Sequence, residues 1–226
     1  MATATWPALQ LSLKVALVAT ACALMLGVAL GWLLARRRFV GRELLDTLLT
    51  LPMVLPPTVL GYYLLVLLGR RGPIGGWLEA RFGINLIFTW QGAAIAATLV
   101  AFPLVFKPAR AAFEAVSAQM EDAARVLGVG EVALFWRVTL PLAWRGILAG
   151  TLLAFARALG EFGATLMVAG SIPGQTQTLA IAIYEAVQAG QDDLASHLVL
   201  LTCAVCITAL LLAKRLAPGH AMQAVR

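Results

Sequence analysis

Apolar residues run through this chain in long windows, separated by short polar or basic stretches. A helix needs roughly 20 apolar residues to cross about 30 Å of hydrocarbon. Five windows reach that length: about Val15 to Leu34, Leu48 to Leu68, Ile87 to Phe106, Gly146 to Val168 and Leu194 to Leu212. A further stretch, Thr178 to Val187, is only amphipathic, with Leu179, Ile183 and Val187 at i, i+4 and i+8. It predicts an interfacial helix or part of a sixth span. The long region from Lys107 to Arg145 is the least apolar of the chain and needs structure of its own. The pattern predicts an all-α integral membrane protein: a bundle of five transmembrane helices, or six, forming one domain over residues 1–226.

Composition agrees. Residues of the AVILMFWYC set make up 61% of the chain, charged residues 12%, and the mean hydropathy is +0.88. A soluble domain is about a quarter charged, so neither a disordered chain nor an ordinary soluble enzyme fits. The net charge of +6 takes its meaning from where the cations fall. Arg36, Arg37, Arg38, Arg42, Lys107, Arg110, Arg125, Arg137, Arg145, Lys214, Arg215 and Arg226 share one side of the membrane when the windows alternate. Arg70, Arg71 and Arg81 fall on the other side, while Lys14 and Arg157 lie at or within spans. Positive residues mark the cytoplasmic face. The N-terminus is therefore expected outside and the C-terminus in the cytoplasm, and the excess charge does not point to nucleic acid. No basic n-region precedes the first window, which ends in Arg36-Arg37-Arg38, so no cleavable signal peptide is expected.

The cytoplasmic segment reads as helix up to Leu127, stops at Gly128-Val129-Gly130 and resumes near Glu131. Glycine at a helix end supplies the left-handed cap conformation. Glu121 and Asp122 favour the positive end of a helix dipole. Pro141 is expected near the start of the next helical run, where its missing N–H costs little. Ala123 and Ala124 give a small-residue face.

These residues resemble a known motif. "EDAARVLG" followed by "FWRVTLPL" is similar to the EAA loop of ABC-importer permeases, EAA-x3-G-x9-I-x-L-P. Asp122 takes the Glu position, Ala123 and Ala124 match, and Gly128 follows at the required distance. Val138 takes the Ile position, and Leu140 and Pro141 complete the pattern. In addition, "LLDTLLTLPMVLPPTVLGYYLLVLLGRRGPIG" and "FARALGEFGATLMVAGSIPGQTQTLAIAIYEAVQAG" resemble the permease subunits of molybdate ABC transporters. Sulfate/thiosulfate and tungstate permeases share much of this pattern, notably the ALGEFGA run.

The resemblance implies a type I ABC-importer permease fold in a bacterial inner membrane. It implies a homodimer of permease chains, two ATPase subunits on the cytoplasmic side and an external substrate-binding protein. The cargo would be a tetrahedral oxyanion, molybdate first. Glu121, Asp122, Ala123, Ala124, Gly128 and Pro141 would belong to a coupling helix and its flanks, received in a cleft of the ATPase. The chain itself would be non-catalytic and hold no cofactor. A P-loop needs Gly-Lys-Ser/Thr, but the lysines here precede Val15, Pro108 and Arg215. ATP would be bound by the partner.

Inside the membrane, Pro52, Pro56 and Pro57 cluster at the cytoplasmic start of the second window. Each proline removes an N–H and crowds the preceding turn. They mark either a broken helix lining the path or a kinked entry away from it. Arg157 and Glu161 are the charges well inside the fourth window, at i, i+4 spacing. They either place a guanidinium where a dianion passes or form a self-neutralising pair that orients the span. Gly27-x3-Gly31 and Gly146-x3-Gly150 permit close helix approach, and Gly160 and Gly163 flank Glu161. The external segment Ser171 to Gln191 is either an interfacial loop or surface for the binding protein. Cys22, Cys203 and Cys206 lie in apolar windows and read as small fillers, without a metal set. From another class, a self-sufficient channel or secondary transporter would conduct without partners. An intramembrane hydrolase lacks a Ser–His, Asp–Asp or metal constellation.

Overall fold

The computed structural model describes residues 2–216, with side chains described within 5–209 and for Leu211. Arg226 and His220 lie outside these residues, as do the side chains of Lys214 and Arg215. Every regular element among the described residues is helical. The elements are α1 (Ala2–Arg36), α2 (Arg42–Val54), α3 (Pro57–Leu68), α4 (Pro73–Phe82), α5 (Trp90–Glu114), α6 (Ala118–Val126), α7 (Glu131–Leu134), α8 (Leu140–Leu159), α9 (Gly163–Ala169), α10 (Leu179–Gln188) and α11 (Asp192–Leu216). A π-helical turn, Phe135–Thr139, joins α7 to α8.

Among the described residues, four helices are long and apolar enough to cross a membrane: Thr5–Arg36, Trp90–Glu114, Glu131–Leu159 and Asp192–Ala209. The pair α2 and α3 makes a fifth candidate if taken as one bent span. The amphipathic stretch is the short apolar helix α10.

Helix α5 is the hub. Its N-terminus is capped by Thr89, whose hydroxyl accepts from the Gly92 N–H at 3.2 Å. Ala93, Ala96, Ala97 and Ala101 are fully buried along it, and Phe102 stacks on Phe106 at 5.5 Å between ring centroids. Hydrocarbon tails are as apolar as leucine, so membrane helices associate by close backbone approach at small residues. Both small-x3-small pairs serve this purpose within the chain. A Cβ on Gly27 would lie 3.0 Å from that of Val105, and one on Gly31 would lie 3.0 Å from the Arg110 nitrogen. On the opposite flank, a Cβ on Gly150 would approach the Leu104 carbonyl to 2.7 Å, and one on Gly146 would meet Ala112.

Two windows that hydropathy reads as continuous are cut. The second bends by 111° between α2 and α3. Pro56 and Pro57 remove successive donors there, Leu55 turns extended (ψ 141°), and α3 restarts with Pro57 in its first turn. Pro52 does not take part in the break; it lies inside α2. The fourth window ends as a helix at Leu159, and α9 begins after Gly160, Glu161 and Phe162.

Pro141 falls in the first turn of α8, as expected, while α7, the π turn and α8 run on as one apolar helical span from Glu131 to Leu159. The π turn immediately before Pro141 accounts for this, because a wider turn absorbs the ring's clash with the preceding carbonyls. On the near side of the segment, α5 continues past Lys107 to Glu114. The polar side chains there find partners at the helix end, so polarity does not stop the helix. Within the segment Lys107 to Arg145, residues 115–130 are those that lie outside the long helices.

Candidate coupling surface and membrane path

Helix α6 begins after Ser117 and ends at Val126. Gly128 then adopts φ +83°, its N–H donating to the Arg125 carbonyl at 2.9 Å while Val129 N–H donates to Ala124 at 3.1 Å. This left-handed residue closes the helix and reverses the chain into α7, as a C-terminal glycine does. Arg125 staples the two sides of the turn. Its guanidinium lies 2.7 Å from Glu131 and 2.8 Å from Asp122. The hydrogen bond to Glu131, then that to Asp122, raises the Arg125 pKa above its already high ordinary value. The tip is apolar and uncovered: Val126 is 88% exposed, Leu127 83%, and Met120 is exposed beside them. Asp122 and Ala123 are exposed and Ala124 half-buried, all on the same short helix.

Glu121 behaves differently from its neighbours. Its side chain is 6% exposed and points back into the protein. Arg36 at the end of α1 donates to its Oε1 at 2.5 Å, and the Thr139 hydroxyl donates to the same oxygen at 2.6 Å. Of the residues read from the sequence as coupling candidates, Glu121 is therefore the one turned inward.

A second ionic group was not foreseen. Asp46 of α2 accepts from Lys107 at 2.5 Å and from Arg110, both on α5. Arg110 also reaches Glu114 at 2.9 Å, and Glu114 accepts from Arg42 at 2.7 Å. The chain of charges ties α2 to the C-terminal end of α5. A signal existed: a lone aspartate in an apolar run, Leu44-Leu45-Asp46-Thr47-Leu48, requires a partner at that depth.

In the membrane, Arg157 and Glu161 do pair, at 2.7 Å. The helix breaks between them, however, so they are not simply neighbours on one face. Glu161 is 1% exposed, and its other oxygen accepts from the Ala164 N–H at 2.9 Å in the first turn of α9. It thus holds the start of α9 as well as the guanidinium. Arg157 remains 36% exposed.

The two helix breaks meet. A Cβ on Gly163 would come within 3.1 Å of the Pro57 ring, and one on Gly61 within 2.7 Å of Met167 Cβ. The half-helices α3 and α9 therefore pack side by side, with Pro56–Pro57 and Gly160–Gly163 at adjoining ends. At the opposite end of the bundle, Ser12 of α1 accepts from Leu179 N–H at 2.7 Å, and Gln177 donates to Glu185 at 2.5 Å, so the segment Ser171 to Gln191 is anchored rather than loose. Among the described residues no group of three or more His, Cys, Asp or Glu side chains is placed to hold a metal.

Residues 27–219 match the family described as "Binding-protein-dependent transport system inner membrane component". The chain is 46% identical to the molybdenum transport system permease protein ModB of Escherichia coli (strain K12), over 94% of this chain and 93% of that one. It is 42% identical to the ModB of Haemophilus influenzae, over 92% and 91%. A sulfate transport system permease protein, CysW of Synechocystis, is 42% identical over 77% of this chain and 63% of its own. Among solved structures, a bacterial ABC transporter that imports alginate aligns with a TM-score of 0.73 at 16% identity, covering 93% of this chain and 78% of that chain. The MetNI methionine ABC transporter aligns with a TM-score of 0.69 at 14% identity, covering 96% and 94%. The chain belongs to the family of binding-protein-dependent transport system inner membrane components, and it shares its fold with chains of solved ABC transporters.

Proposed function

We propose that this chain is the membrane-spanning subunit of an ATP-driven importer that carries a tetrahedral oxyanion, molybdate, into the cytoplasm. The observation that carries the reading is α6: a short helix beyond the membrane, ending in exposed Val126 and Leu127, on the side marked by most of the arginines. Such a tip is costly in water unless a partner covers it. Its sequence and its Gly128 turn match the loop that meets an ATPase in this family. The choice of molybdate rests on relatives named for molybdenum transport that match over nine-tenths of both chains, whereas the sulfate permease matches over less.

In this reading the N-terminus lies outside, the C-terminus lies in the cytoplasm, and two copies enclose the path. Arg157 supports the second copy, because a guanidinium left partly exposed at membrane depth faces protein or a wet cavity, not lipid. Two ATPases dock on the paired α6 helices and draw them together when ATP binds. The motion opens the path outward to receive a dianion from an external binding protein. Glu161, by capping α9 while neutralising Arg157, fits a positioning role for the pair. The partly exposed Arg157 then adds only a weak attraction, which suits a cargo that must leave. The Asp122, Ala123 and Ala124 side of α6, with Gly128, forms the docking face, while Pro56 and Pro57 form the flexible joint.

The test is reconstitution into vesicles with the partner ATPase and binding protein, following labelled molybdate against unlabelled molybdate, tungstate and sulfate. ATP-dependent uptake that molybdate competes out better than sulfate is the expected result. Flux with this chain alone, without ATP, would instead establish a channel or secondary transporter.

A further inference from the structure

The coupling helix must transmit its displacement to the membrane helices, and the structure provides little packing for that. Between the end of α1 and the α6–α7 turn lies a cleft of about 600 Å³, bordered by Trp32, Arg37, Glu131, Val132 and Phe135. At the surface, Asp122 and Glu131 both pair with Arg125, which carries α6 only as far as the neighbouring α7. Glu121 instead reaches α1 and the π turn. One of its oxygens receives both Arg36, the last residue of α1, and Thr139, the last residue of the π turn that feeds α8. Thr139 is 2% exposed. A π turn shifts the helical register where it occurs, and here it ends on the residue that meets the carboxylate.

From these contacts we infer that Glu121 is a positioning residue for transport: it links α6 to α1 and α8 at once, so that movement imposed on the coupling helix is delivered to both. This rests on the importer reading above. The link is stiff because charge-assisted hydrogen bonds are short and strong and because Glu121 is screened from water. It reaches the membrane core because α1 lies against α5 through Gly27 and Gly31, and α8 lies against α5 through Gly146 and Gly150. A docking acid would face outward; Glu121 faces inward and acts through Arg36 and Thr139.

The test compares molybdate imported per ATP hydrolysed, measured on assembled transporter in vesicles. Glu121→Gln keeps an oxygen for Arg36 and Thr139 but removes the charge. It is expected to lower that ratio about fivefold, the lower end of typical coupling between sites. Thr139→Val is expected to lower it in the same direction. The exchange Arg36→Glu with Glu121→Arg is expected to restore the ratio towards wild type, which a purely structural defect would not do. On the permease alone, spin labels at positions 38 and 118 should give a narrow distance distribution that broadens in Glu121→Gln. An unchanged ratio in Glu121→Gln overturns the inference. So does an unchanged label distribution, or a loss of uptake that tracks loss of hydrolysis and is not recovered by the exchange. Wild-type transporter without ATP-dependent uptake would overturn the importer reading, and this inference with it.

Discussion

Replacing Gly128 by asparagine, alanine and valine separates two ways in which the turn after α6 could matter. Its backbone sits at φ +83°, and both hydrogen bonds across the turn use main-chain atoms that any residue retains. A Cβ at this position meets nothing within 4 Å, so the chain itself offers no steric objection. The cost within the subunit is therefore conformational: about 1–2 kcal/mol for an ordinary L-residue held in the left-handed region. Asparagine enters that region with least penalty, alanine pays about 1 kcal/mol, and β-branched valine pays most. Since 1.4 kcal/mol is a tenfold change in population, alanine should reduce docking-competent turn by about fivefold and valine by tenfold or more. Co-purification with the ATPase, together with ATP-dependent uptake in vesicles, reads the ranking. Uptake falling in the order Asn, Ala, Val points to the turn's conformation. Uniform loss, including Asn, points to a partner surface that closes on the bare glycine. A Gly128→Val transporter with wild-type assembly and uptake would refute both, and with them the role of this turn in coupling.

Other outcomes follow from the packing and the topology. Gly150→Ala drives a Cβ to 2.7 Å from the Leu104 carbonyl, and this overpacking should cost about 1–3 kcal/mol. Gly160→Ala, whose Cβ has room, should leave the thermal midpoint in detergent nearly unchanged. Glu161→Gln retains an acceptor for Ala164 N–H and should melt closer to wild type than Glu161→Ala, which loses both the cap and the Arg157 partner. Equal melting of the two would show that the cap contributes nothing. A single cysteine in place of Ser117 should react with an impermeant thiol reagent only from the cytoplasmic side, and one in place of Gly174 only from outside. The native thiols are replaced beforehand. Reversed labelling would refute the proposed orientation.

Hydropathy located the long helices because burial in lipid is a property of composition, visible window by window. It could not locate the breaks. The run from Gly146 to Val168 carries no charge except Arg157 and Glu161, yet the helix stops at Leu159 because Glu161 accepts from Ala164 and starts a new one. Whether an acid at i+4 continues a helix or caps the next depends on backbone hydrogen bonds, which composition does not encode. The Pro56–Pro57 break was legible, because proline's effect is local, but Pro52 was misleading: one proline can sit inside a helix where its neighbours accommodate it. The α6 turn was legible for the same local reason, through Gly128. The direction of Glu121 was not, since it depends on a π turn and on the distant Arg36. Asp46 was visible as an oddity but could not be matched to Lys107 and Arg110 without the fold.

Under the proposed function the cargo passes Arg157 and Glu161, whose formal charges sum to zero. For a dianion entering a cell whose interior is negative, the membrane potential opposes entry by about 4.6 kcal/mol per 100 mV, twice the roughly 2.3 for one charge. A transporter could offset that work by moving a countercharge of its own across the field. Here the guanidinium is tied to a carboxylate that is itself fixed to the start of α9, so shifting the two together displaces no net charge. Under the proposed function, the electrical work of import then falls on the ATPases, and the rate of uptake at limiting ATP should slow as the interior is made more negative.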